Sequence, residues 1–128
     1  MEISIGMKGE VTSFVDRADT ALEVGSGSLL VYATPCMVAM MEDAACAAIH
    51  PALPEDKTTV GIHLDVAHVS ATPVGMEVRA EAEVTEVSDK VITFKVTAYD
   101  EAGVIGEGTH KRAIVSSQRF LDKTYAKL

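Results

Sequence analysis

Apolar and polar residues alternate strictly from Met76 to Val84, where Met76, Val78, Ala80, Ala82 and Val84 interleave with Glu77, Arg79, Glu81 and Glu83. A period of two marks a strand with one wet face. Ser88-Asp89-Lys90 then turns the chain, and Ile92, Phe94, Val96 and Ala98 alternate with Thr93, Lys95 and Thr97, so the pair reads as an antiparallel hairpin. Asp100-Glu101-Ala102-Gly103 makes the next turn. The following strand, 104–115, alternates more weakly, and Gly106 and Gly108 predict a bulge or a close backbone approach there. Upstream, 58–69 (TTVGIHLDVAHV) reads as a strand with Ile62, Leu64, Val66 and His68 on one face and Gly61, His63, Asp65 and Ala67 on the other. A short strand over 10–16 is expected from the alternation around Val11, Ser13 and Val15. Residues after Phe120 read as a frayed tail.

The period changes at Thr34. Thr34-Pro35 has the form of an N-cap followed by proline at the first helical position, the run 36–49 contains neither glycine nor proline, and His50-Pro51 ends it. Met37, Met40, Met41, Ala44, Ala45 and Ala48 share one helical face. Val38, Ala39, Cys46, Ala47 and Ile49 make the rest apolar as well, which predicts a buried helix. One such helix between a short strand and four antiparallel strands has a direct packing solution, an α+β hot-dog fold in which a curved sheet wraps a single central helix. The open sheet edges predict a homodimer joined edge to edge.

The chain has 128 residues, which fits one domain over 1–128, and the only linker-like stretch, Gly25-Ser26-Gly27-Ser28, reads as a mobile loop. No apolar run approaches the roughly 20 residues of a membrane helix, and the first residues lack the pattern of a secretory signal, so a cytoplasmic location is expected. A net charge of −8 argues against nucleic acid as a partner. Cys36 and Cys46 lie ten residues apart on one helix, about 15 Å of rise, which is too far to bridge. Both read as small hydrophobes. His63 and His68 point to opposite strand faces, His50 and His110 have no partner at ligand spacing, and no metal site is expected.

Three residues stand out chemically. Glu42, with Asp43, carries the only charge of the helix, Thr34 lies eight residues before it, and His68 shares an apolar strand face turned toward the helix. Each has a plainer alternative: Thr34 as an N-cap, Glu42 as an ion-pair partner, His68 as a hydrogen-bonded core residue. Together, a carboxylate, an imidazole and a hydroxyl in one cleft supply a nucleophile or base, a proton carrier and an orienting donor. The serine-hydrolase elbow, Walker and dinucleotide patterns are absent.

The segments VYATPCMVAMMEDAACAAI (31–49), TTVGIHLDVAHVSATPVGMEV (58–78) and DEAGVIGEGTHKRAIV (100–115) resemble the bacterial hot-dog thioesterase family that includes the fluoroacetyl-coenzyme A thioesterase. The resemblance implies hydrolysis of an acyl-coenzyme A thioester, without a further cofactor, by a homodimer with its active sites at the subunit interface. By motif position it assigns Thr34, Glu42 and His68 as catalytic, and Gly61 and Arg112 as substrate-contacting. Arg112 is the expected phosphate ligand, with Lys111 and Arg119 nearby. The stretch ahead of Thr34, GSGSLLVY, lacks the phenylalanine of the fluoroacetyl-specific enzyme's lid, which predicts a generic or a different short acyl group. Two rival functions are a hydroxyacyl-thioester dehydratase or hydratase and a non-catalytic acyl-thioester binder. Residues 24–33 contain no histidine of the kind that dehydratases place ahead of the helix glutamate.

Overall fold

The computed structural model describes residues 2–128. Five antiparallel strands, β1 (Lys8–Phe14), β2 (Lys57–His68), β3 (Glu77–Ser88), β4 (Val91–Asp100) and β5 (Gly103–Ser116), form one sheet in the order β1-β3-β4-β5-β2. Its long helix, α2 (Thr34–Ile49), follows a one-turn helix, α1 (Ala21–Val24), and a C-terminal helix, α3 (Ser117–Tyr125), closes the chain. This is the expected hot-dog architecture.

The alternation in β3 and β4 decides which side of the sheet meets α2. Val78, Ala80, Ala82, Val84, Ile92, Phe94, Val96 and Ala98 are all buried against it. Met37, Met41 and Ile49 of α2 are fully enclosed, each contributing about 1.5–3 kcal/mol of apolar burial. Gly9 of β1 lies so close to α2 that an added Cβ would fall 2.2 Å from the Ala44 carbonyl oxygen. β1 starts at Lys8, two residues earlier than the alternation suggests, and ends at Phe14.

Four expectations are corrected. α2 is buried on one face only, since Thr34, Pro35, Ala39, Asp43 and Ala47 are exposed in the single chain. The N-cap is Ala33, so Thr34 is the first helical residue and its hydroxyl is free of capping. In β2 a bulge between Gly61 and His63 takes Ile62 out of register. Gly61 pairs with Arg112 and Leu64 with His110, so Gly61 shares its face with Leu64, Val66 and His68 instead of opposing them. Finally, the tail is helical from Ser117 to Tyr125, with Gln118 Nε2 donating to Asp122 Oδ1 at 2.8 Å.

β5 carries both features expected of its glycines. Its register shifts opposite Ala98 and Tyr99, and a Cβ on Gly108 would meet the Asp65 carbonyl oxygen at 2.1 Å. β2 remains an open edge with Ile62 51% and Leu64 40% exposed. No described helix is long and apolar enough to cross a membrane.

Candidate active site

Two polar clusters lie along the face where α2 meets β2 and β5. At the start of α2, Thr34 Oγ1 and His68 Nδ1 are 2.7 Å apart. His68 comes from the end of β2, where the post-bulge register turns it toward the helix. Its Nε2 is buried and has no hydrogen-bond partner among the described residues. Burial pushes the His68 pKa below the usual imidazole value, with a backbone contact at Ser70 opposing the shift, so the ring is neutral near pH 7.

Two helical turns further on, about 12 Å along the axis, Glu42 points at β2 and β5. Arg112 Nη1 donates to Glu42 Oε2 at 2.9 Å, Nε donates to Thr59 Oγ1 at 2.9 Å, and Nη2 donates to the Thr59 carbonyl at 3.1 Å. His110 completes the arrangement. Its Nδ1 lies 2.8 Å from the His63 carbonyl, which accepts, so this nitrogen carries the proton and Nε2 accepts from Arg112 Nη1 at 3.2 Å. Burial, foremost, and the neighbouring Arg112 push the His110 pKa down despite the opposing His63 carbonyl. The 3.9 Å approach of His110 Nε2 to Glu42 is therefore not an ion pair at neutral pH.

Gly61 has a steric reason to be glycine. A Cβ there would stand 2.4 Å from Glu42 Oε2 and 3.3 Å from His110 Cε1. The missing side chain makes the space that the carboxylate occupies. Glu42 retains 36% side-chain exposure, so it is held by a buried guanidinium on one side and open on the other.

The structure thus joins Thr34 to His68, and Glu42 to Gly61 and Arg112, with two turns of helix between the pairs. Arg112, the expected phosphate ligand, is 6% exposed with its donors directed at Glu42, Thr59 and His110. Thr59 does not stand out in the sequence, and His110 is weighed there only as a metal ligand. Gly108, His110 and Arg112 fall on one inward parity, but two polar side chains in an inward row look like lost alternation instead of a buried network. Cys36 and Cys46 are free and half-buried, and no group of three described His, Cys, Asp or Glu residues is arranged to hold a metal.

Residues 15–118 match the model of the fluoroacetyl-CoA-specific thioesterase family. The chain belongs to this family. The fluoroacetyl-CoA thioesterase of Streptantibioticus cattleyicolor is 36% identical over 97 residues, covering 76% of this chain and 70% of that protein. A solved structure of the fluoroacetyl-CoA thioesterase superposes with a TM-score of 0.94 at 28% identity, over 100% of this chain and 99% of that one. A Thermus thermophilus protein described as a thioesterase superfamily member gives 0.84 at 27% identity, with 98% of each chain covered. Membership places both clusters, not only the motifs, inside a thioesterase scaffold.

Proposed function

We propose that this chain hydrolyses the thioester of a small acyl-coenzyme A, with Glu42, His68 and Thr34 as its catalytic residues. Family membership supports the reaction class. The observation that carries the residue roles is Glu42, a carboxylate fixed by a buried arginine on one side and half-open on the other. In this reading Glu42 attacks the thioester carbonyl or activates a water to do so. His68, neutral and hydrogen-bonded to Thr34, manages the proton that the departing thiolate takes up. Thr34 orients the imidazole, and a backbone N–H near Gly61 receives the carbonyl oxygen. Water adds across the C–S bond, yielding the free acid and coenzyme A, and no further cofactor takes part.

The working unit in this proposal is a homodimer. The bare face of α2 and the apolar side chains on the β2 edge support it. Two β2 edges paired about a twofold axis run antiparallel. For an axis falling between Gly61 and His68, the Thr34–His68 end of one protomer approaches the Glu42 of its partner, which closes the 12 Å gap between the clusters. A cytoplasmic location accords with this substrate.

Purified protein assayed against a panel of acyl-coenzyme A esters with a free-thiol readout tests the reading. Release of thiol from one or more small acyl esters is expected, and no release from any would contradict it. Leu29 and Leu30, 67% and 44% exposed, occupy the stretch before Thr34 where no phenylalanine stands. The panel is therefore expected to show less than about a tenfold difference between fluoroacetyl and acetyl esters. Light scattering in dilute solution is expected to give the mass of a dimer, and a stable, active monomer would refute the interface site.

A further inference from the structure

Four of the eleven cationic side chains of this acidic protein, Lys57, Lys90, Arg119 and Lys123, line one groove of about 600 Å³. No carboxylate lines it. The ion pairs among the described residues involve Arg17, Arg79 and Arg112, so none of the four is neutralised within 4.0 Å. Asp56, Asp89 and Asp122 flank Lys57, Lys90 and Lys123 in sequence but none of them lines the groove, so its charged lining is wholly cationic in a chain of net charge −8. The floor is apolar, with Ile114 beneath and the Phe120 ring 41% exposed at the wall.

The groove also lies in line with the candidate site. Lys57 stands four residues before Gly61 on β2, and Ser116, which pairs with Lys57, stands four after Arg112 on β5. That is roughly 13 Å of strand. An extended pantetheine arm is longer than this distance, so a thioester at Glu42 can place its far end here. That far end is an adenosine carrying phosphates on both sides of the ribose. An aromatic wall and four cations match a flat base joined to several phosphate charges.

We propose that this groove, built by the start of β2, the end of β5, the β3–β4 turn and α3, binds the phosphorylated adenosine of the coenzyme A ester. The proposal rests on the thioesterase reading and replaces Arg112 as the phosphate contact. It also gives α3 a purpose: the helix carries Arg119, Phe120 and Lys123 to the groove, although none of its residues is buried.

Calorimetric titration of the full chain with adenosine 3′,5′-bisphosphate tests it. One saturable site is expected, weakening as salt rises. Arg119→Glu and Lys57→Glu are each expected to lower affinity by about tenfold or more. Lys95→Glu, the same charge change on the opposite sheet face between Glu83 and Thr109, is expected to keep the parental affinity. Absence of binding would overturn the proposal. So would an equal loss in Lys95→Glu, or inorganic phosphate binding as tightly as the nucleotide. A chain that binds the nucleotide here yet releases no thiol from any ester would refute the thioesterase reading and leave the groove standing.

Discussion

Arg112 and Glu42 form the central electrostatic contact of the candidate site, with 2.9 Å between Nη1 and Oε2. The guanidinium is anchored from behind by Thr59 and His110, so it reaches the carboxylate from a fixed position. Arg112→Lys keeps the charge but loses the planar fork that spans these partners. It is expected to destabilise the fold by about 2 kcal/mol or more, because the Thr59 carbonyl is left buried without a donor. Turnover is expected to fall on the order of 100-fold through misplacement of the carboxylate. Denaturant melts beside kcat and KM check this. A variant that raises only KM, with an effect that shrinks as salt rises, would return Arg112 to the role of phosphate ligand.

Gly61→Ala tests the same carboxylate from the other side. The added methyl meets the end of the Glu42 side chain, which has an open side to turn into, and the Gly61 backbone is not in the left-handed region, so the chain can fold around it. Expected is a cooperative melt near that of the parent with kcat lowered at least about tenfold. Parental turnover in a folded Gly61→Ala protein would show that the position of Glu42 is immaterial.

His110 and His68 both have pKa values held below that of an ordinary imidazole, chiefly by burial. The unfolded chain therefore binds more protons than the folded one once pH drops through about 6.5, and stability falls with it. Their contribution is complete above that value and is lost on acidification toward the depressed folded values. Thermal melts from pH 7.5 to 5.5 are expected to show a declining midpoint. His110→Gln, which can still donate to the His63 carbonyl, is expected to flatten the decline, and an unchanged slope would show that His110 does not carry it.

Strand and helix periods made the fold legible because β3 and β4 have one wet face and one dry face, and because the run 36–49 holds no breaker. The site was legible in its parts: Thr34, Glu42 and His68 stood out as polar groups in apolar surroundings. What the pattern hid was register. Alternation carries no mark of the bulge at Ile62, so Gly61 was placed on the wrong face, away from Glu42. The same blindness hid the contact of Arg112 with Glu42, since an arginine beside Lys111 reads as part of a basic group until pairing with Gly61 turns it inward. α3 escaped because its helix rests on local bonds such as Gln118–Asp122 and buries no apolar stripe.

In the proposed mechanism Glu42 carries the chemistry rather than simply balancing a buried arginine. Glu42→Gln preserves shape and leaves Arg112 an acceptor while removing the nucleophile or base. With kcat on a small acyl-coenzyme A ester measured beside a melting curve, a cooperative melt and a kcat lowered by at least about 100-fold are expected. A folded Glu42→Gln protein turning over at the parental rate would contradict the mechanism.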